Sequence, residues 1–540
     1  MRMTAILLSG ACLLPAMAAA AVSSQQPETT SSSVAPDTAM ATATATAMPA
    51  ATSQDQSDGA PDTMRHAMTN ADVLDAVEDE LLVDRRVPSR HVTVQFVDGI
   101  VTLTGTVDNL VAKERAARIA ETVKGVQSVV NRITVQPIET RTGAELRGDV
   151  VHALAVDPAT ESYEVDVSAT DDGQVTLQGE VDSWAEQHLA GLVTKGVAGV
   201  TALQNNIEVR PSAMRPDAEI AADIRGRIDW STLVDGALVT VDVDDGAVNL
   251  TGTVGSAAEK RQAGLLAWTS GVRTVDTDGL TVSRWARDPD LREKKYVNKP
   301  DGEVQQAVEN ALLLDPRVNS QRVDASVDHG LVTLRGTVTS PSAAEAARTD
   351  ARHTVGVGSV RDHLKVEPAS ARSDAAIASD VRDAIGRNAF LDRQDVTVTA
   401  INGTAYLYGT VDSYLEKVEA ERAASHVRGV AEVANELVVR QPAWMGYDPY
   451  VDDASIYDYP WYTWAPAHSW TPDHEIQDDI ESQLWWSPFV DSDEVTVTVD
   501  DGVARLTGTV DSWSEYNAAT DNAFEGGAVW VDNDLVVDVG

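Results

Sequence analysis

The chain has 540 residues and carries 42 Lys and Arg against 84 Asp and Glu, a formal charge of −42. That balance repels polyanions and excludes global attraction to nucleic acid. Aromatic residues make up 5% of the chain, so its cores must be built from Val, Leu, Ile and Ala in small units.

The N-terminus reads as an export signal. Met1-Arg2-Met3 carries a positive charge, residues 4–15 are apolar, and Ala16-Met17-Ala18 offers a small-residue cleavage site, with Ala20 or Ala21 as equal alternatives. Residues 1–20 are the expected signal peptide, and the periplasm is the expected location. The single cysteine, Cys12, lies inside this segment, so a mature chain lacks disulfides and cysteine metal cages. The alternative is a lipoprotein tethered to the membrane through acylated Cys12, against which Leu8 stands one residue too far away. No later stretch approaches the 18 apolar residues needed to span a bilayer. Residues 21–68 are rich in Ala, Thr, Ser and Pro and are expected to form a disordered leader.

Beyond the leader, one strand-turn-strand phrase occurs six times. It is marked by the glycine pairs Gly99 and Gly105, Gly173 and Gly179, Gly246 and Gly252, Gly330 and Gly336, Gly403 and Gly409, and Gly502 and Gly508. The second glycine advances by 74, 73, 84, 73 and 99 residues, giving a unit of 70 to 75 residues stretched twice by linkers. Each unit opens with a helix of period 3.6, as in Val73, Ala76, Val77 and Leu81, or Ile220, Ile224 and Ile228. A strand of period two follows, then an Asp-Gly or Asn-Gly hairpin turn. In the second strand Val101, Leu103, Gly105 and Val107 share a buried face, where the glycine is expected to let a helix approach the sheet.

A second helix should start at a capping box: Ser183 with Glu186, Ser256 with Glu259, Ser342 with Glu345, Ser413 with Glu416 and Ser512 with Glu515. The first copy, at Asp108-Asn109, has no such box. A third strand closes each unit, and a helical connection to it favours parallel pairing. The expected fold class is α+β: a tandem array of six small α-β-β-α-β modules, each a three-stranded mixed sheet with two helices on one face.

The phrase Asp-Gly-x-Val-x-Leu-x-Gly-x-Val, followed by Gly-Val-x-x-Val-x-Asn-x-Leu, resembles the BON domain, the bacterial osmotically inducible and nodulation domain. The resemblance covers residues 69–137, 143–211, 217–283, 301–368, 373–440 and 473–540. Copy three departs most: Gly271-Val272 leads to Thr277 and a shifted Gly279-Leu280, which puts its last strand in question. Copy four has Asp362 at the Asn position, and copy six has Gly527-Ala528.

No catalytic constellation emerges, and no enzyme activity or cofactor is expected. Asp242-Val243-Asp244-Asp245-Gly246 has the look of a calcium loop, but Thr253 stands where a bidentate Glu belongs, so it reads as a hairpin turn. His468, Asp473, His474 and Glu475 lack anything to fix a metal geometry, and no metal site is expected.

Two linkers stand out. Residues 284–300 interleave Arg284, Arg287, Arg292, Lys294, Lys295 and Lys299 with Trp285 and Tyr296, the one locally basic and aromatic stretch. It is read either as neutralising acidic neighbours or as a dock for anionic lipid headgroups through Trp285, Arg292, Lys294, Lys295 and Tyr296. Residues 441–472 include nine aromatics within 27 residues, among them Trp444, Trp461 and Trp464. They are read either as a cover over a neighbouring sheet or, with Tyr406 and Tyr408 on the wet face of copy five, as a platform for glycan or lipid.

The resemblance implies a non-catalytic periplasmic protein that supports the envelope under osmotic or related stress by weak multivalent binding to phospholipid membrane or envelope components. BON domains are associated with such proteins and with membranes, and one relative with potassium. The alternative is a glycan- or peptidoglycan-binding surface protein using residues 444–470. Nucleic acid is not an expected partner.

Overall fold

The computed structural model describes residues 68–84, 86–161, 163–210, 215–287, 295–296, 299–391, 396–412, 414–439, 472–528 and 530–538. The expected signal peptide and Cys12, the leader as far as residue 67, Arg292, Lys294, Ser413, His468, and Trp444, Trp461 and Trp464 of the aromatic linker lie outside these residues.

Module 1 runs α1 (Asn70–Val83), β1 (Val92–Val97), β2 (Ile100–Val107), α2 (Leu110–Glu121) and β3 (Ser128–Val135). Module 2 is α3 (Gly143–Val156), β4 (Glu164–Ala169), β5 (Gln174–Val181), α4 (Trp184–Lys195) and β6 (Ala202–Val209). Module 3 is α5 (Asp217–Trp230), β7 (Val239–Asp244), β8 (Ala247–Val254), α6 (Ala257–Leu266) and a split third strand, β9 (Thr274–Asp276) and β10 (Leu280–Val282). Module 4 is α7 (Asp301–Leu314), β11 (Val323–Asp328), β12 (Leu331–Val338), α8 (Pro341–Arg352) and β13 (Ser359–Val366). Module 5 is α9 (Asp374–Arg387), β14 (Val396–Ile401), β15 (Thr404–Val411), α10 (Tyr414–Ser425) and β16 (Glu432–Val439). Module 6 is α11 (Asp473–Trp486), β17 (Val495–Asp500), β18 (Val503–Val510), α12 (Trp513–Glu525) and β19 (Trp530–Val537).

In every sheet the second strand is central, antiparallel to the first and parallel to the third, as in Val94↔Leu103 and Leu103↔Asn131. Val101, Leu103 and Val107 bury one face of β2 under α1 and α2, where Val73, Val77 and Leu81 meet them. The alternate residues of the strands face water.

Local chemistry explains the repeat and corrects three expectations. Five hairpins close through two residues at positive φ, such as Asp98 at 49° and Gly99 at 82°, as a type I′ turn requires. Module 2 instead inserts Asp171-Asp172-Gly173 between Thr170 and Gln174, with Gly173 N–H donating to Thr170 O at 3.0 Å. The second glycine is not there to admit a helix. At Gly105, φ is 118° and a Cβ would run into the His91 carbonyl oxygen that enters β1; Gly252, Gly336 and Gly508 face the same obstacle. In module 4 the cap is Ser340, two residues ahead of the expected Ser342, because Pro341 takes the first helical position, where its missing N–H costs nothing.

The Asn of the repeat ties the third strand to the second helix. Asn131 donates to Lys113 O at 2.6 Å, and Asn205 and Asn435 make the same bond to Gln187 O and Lys417 O, each at 2.8 Å. In module 4, Asp362 replaces it by accepting from Arg348 at 2.5 Å. Module 3 has no such residue, and its third strand breaks at Thr277-Asp278-Gly279.

The modules are consecutive in sequence but pack with partners far away in the chain. Modules 2 and 5 exchange equivalent bonds: Ala198 N–H donates to Arg387 O and Arg428 N–H to Val156 O, each at 2.7 Å. Modules 3 and 4 join through Val355 N–H to Trp230 O and Thr232 N–H to His353 O, both at 2.9 Å. Modules 1 and 6 meet where Lys124 N–H donates to Trp486 O at 3.2 Å. Each of these bonds joins the end of one module's first helix to the glycine turn of another. The modules are thus joined in distant pairs through their helix ends.

Candidate functional site

Among modules 2, 3 and 4 lies a cavity of about 570 Å³ that is partly open to solvent. Its walls come from α4, α5, α6, α7 and α8, with Arg118 of α2 and Phe489 after α11. Leu189, Leu192, Leu265, Leu266 and Leu314 line it and stay only half-buried, because a void rather than a neighbour covers them. Trp184 and His188 line one wall; Trp184 stacks on His188 at 4.7 Å and 13°, and on Trp268 behind it at 5.2 Å and 4°. Burial, reinforced by Lys195, drops the His188 imidazole to about 4, so it is neutral at pH 7.

Two guanidinium groups border the same space. Arg227 donates through Nη1 to Trp268 O, and Arg261 through Nε to Glu121 at 2.7 Å. Burial lowers Arg227, opposed by the carboxylates of Asp223 and Asp350. The sequence reading missed this cavity. Its signal is a second apolar stripe on α4, Trp184, Leu189 and Leu192, beside the stripe of Ala190 and Val193 that serves the module's own core.

Of the linker residues, Trp285 sits in the turn Arg284–Arg287 and is 59% exposed. Lys295 donates to Ile228 O at 3.3 Å and to Val234 O, Tyr296 is buried, and Lys299 lies 5.6 Å over the Trp230 ring. This part of the linker is therefore held against the end of α5. On module 5, Tyr406 and Tyr408 lie side by side on the outer face of β15, ring centroids 6.3 Å apart and 5° from parallel.

Carboxylates gather where modules 1 and 6 meet. Burial pushes Glu525 up to about 7, and burial with the Glu525 charge lifts Glu80 well above the usual carboxylate range. Asp79 and Asp479 are raised as well, by burial and by acidic neighbours. One buried ion pair spans modules 1 and 5: Arg86 to Glu419 at 2.6 Å, with side chains 1% and 0% exposed.

Two groups could hold a cation among the described residues. His152, Asp380 and Asp383 converge across modules 2 and 5, though Arg372 already neutralises Asp380. Asp301, Asp328 and His329 converge at a hairpin where Asp301 accepts the N–H groups of His329 and Gly330, a structural task repeated by Asp217, Asp374 and Asp473. The Asp242-to-Gly246 run is a type I′ hairpin, with Asp245 at φ 49°.

Among the described residues no helix is long and apolar enough to cross a membrane. The BON domain family profile matches residues 69–137, 142–211, 216–284, 300–368, 373–441 and 472–538. Osmotically-inducible protein Y of Escherichia coli (strain K12) is 32% identical over 143 residues, covering 25% of this chain and 71% of that protein. Among solved structures, CdsD, a structural protein of the type III secretion system of Chlamydia trachomatis, is 17% identical with a TM-score of 0.11, covering 38% of this chain and 90% of that one. A second CdsD structure, of its C-terminal domain, is 18% identical with a TM-score of 0.12, covering 39% and 98%. Neither superposition is close enough to inform the fold. With six matched spans in register with six α-β-β-α-β units, the chain belongs to the BON domain family.

Proposed function

We propose that this chain is an exported, non-catalytic envelope protein that works under osmotic or related stress by weak, multivalent contact with phospholipid membrane. The observation that carries the reading is the sixfold BON array, in which the central strands alternate buried and wetter residues and so leave one sheet face towards water. The relative named for osmotic induction supports the stress setting. At −42 the chain cannot adhere uniformly to anionic lipid, so contact must be local, and the exposed Trp285 beside Arg284 is the candidate point among the described residues. Flotation of the mature protein with anionic and with neutral liposomes, at low and high salt, tests this. Salt-sensitive flotation with anionic vesicles only is expected; no flotation under any condition overturns the membrane reading.

The stacked Tyr406 and Tyr408 favour a second reading, a flat aromatic platform for glycan. Sedimentation with purified peptidoglycan, lost in Tyr406→Ala/Tyr408→Ala, would support it.

A further inference from the structure

The cavity is a ligand site that surface contact with a bilayer does not use. Its volume, about 570 Å³, lies in the range of small-molecule pockets, and its lining combines apolar walls with a few convergent polar groups, as such pockets do. Its six leucines, Leu233 included, would be better buried by a neighbouring side chain than left against a void. An interior kept open in this way favours an apolar occupant several carbons long.

The polar end is equally specific. A guanidinium has five N–H donors. Arg261 spends only Nε, on Glu121, leaving both terminal nitrogens, while Arg227 spends only Nη1, on the Trp268 carbonyl. Both side chains border the cavity, and a carboxylate matches the fork of a guanidinium. Asp223, Asp315 and Asp350 also line the walls, and so do Arg118 and Arg317, so four guanidinium groups face three carboxylates and the one positive charge left over matches a single carboxylate rather than a dianion. His188 beside them is neutral and adds no positive charge. We propose that the cavity binds one long-chain monocarboxylate, its chain along Leu189, Leu192, Leu265 and Leu266 and its head at Arg227 and Arg261.

Gly226 makes the test clean. It lines the cavity in the middle of α5, and a Cβ added there meets no atom within 4 Å. Gly226→Ala should therefore fold at least as well as the parent, because alanine favours a helix more than glycine does. Gly226→Trp should fill the space.

The probe is cis-parinaric acid, an 18-carbon fluorescent carboxylate, titrated into the full chain below its aggregation limit, with the matching 18-carbon alcohol as competitor. One saturable site is expected. The alcohol should bind about ten- to a hundredfold more weakly, the value of a charge-assisted hydrogen bond. Gly226→Ala should bind as the parent, and Gly226→Trp should lose the site while keeping its circular dichroism and its behaviour in vesicle flotation. Gly226→Leu provides a second, smaller plug should the tryptophan variant misfold. Absence of saturable binding, undiminished binding in the plugged variants, or equal binding of acid and alcohol would each overturn the proposal. Flotation reports separately on the membrane reading, so either can fail alone.

Discussion

Replacing Glu419 by leucine removes the carboxylate that neutralises Arg86 deep between modules 1 and 5. Glu419 accepts from Arg86 at 2.6 Å and from Arg422 at 2.8 Å, and it has no exposed surface. Arg422 is 26% exposed and can turn its charge to water; Arg86, at 1%, cannot. The Phe390 ring, 5.8 Å from the Arg86 guanidinium, does not replace a carboxylate. Removing one partner of a buried ion pair costs about 3–5 kcal/mol, whereas removing both charges together is close to neutral. The loss falls on the packing of module 1 against module 5, so hydrogen exchange followed by mass spectrometry on peptides of α1 and α10 is the assay. Exchange through opening of this contact should accelerate by about two to three orders of magnitude, at roughly one order per 1.4 kcal/mol. The double variant Arg86→Leu/Glu419→Leu should recover most of the protection. A single variant that exchanges like the parent would refute the reasoning, because it would mean the two modules are not held together at this pair.

The meeting of modules 1 and 6 should weaken as pH rises. Glu525 and Glu80 have raised pKa values in the folded state, so the fold holds protons that the unfolded chain releases, and stability falls from the ordinary carboxylate range near 4.5 up to about 7. Thermal unfolding at pH 5 and pH 8 should show the slope, and Glu525→Gln should flatten it. His188 has the opposite sign: its imidazole is neutral down to about 4, so folding disfavours its protonation and loses stability as pH falls below 6.5 towards 4. Its ring NMR resonances should not titrate between about pH 5.5 and 8, where an ordinary histidine would. Gly105→Ala, at φ 118° and blocked by the His91 carbonyl, should destabilise module 1 by more than the roughly 1 kcal/mol that Gly-to-Ala changes gain at permissive sites, and thermal unfolding would show it.

The order of elements was legible because it rests on short-range chemistry. Val73, Val77 and Leu81 announce a helix, and Asp98-Gly99 a tight turn, whatever surrounds them. The parallel third strand was legible from the helical connection before it, although the task of its Asn, a bond from Asn131 to the carbonyl of Lys113, is visible only in three dimensions. Long-range pairing was not legible. Nothing local in Arg428 says that its N–H will meet Val156, and Glu419 looks like any surface carboxylate until Arg86 arrives from 333 residues away. The role of Gly105 was hidden for the same reason, since the obstacle is the His91 carbonyl in the turn that leads into the neighbouring strand. At module 4 the difference was small and local: Pro341 suits the first helical position, which makes Ser340 the cap.

If distant modules close on one another, Val197 and Asn388 must meet as an antiparallel bridge between modules 2 and 5. Residues so paired lie about 4.5–5.5 Å apart at Cα, within reach of a disulfide. In a Cys12→Ser background, Val197→Cys/Asn388→Cys should form an intramolecular disulfide in the monomer under mild oxidation, seen as a mobility shift reversed by reductant. If the monomer keeps two free thiols while folded, modules 2 and 5 do not meet, and the closed arrangement is wrong.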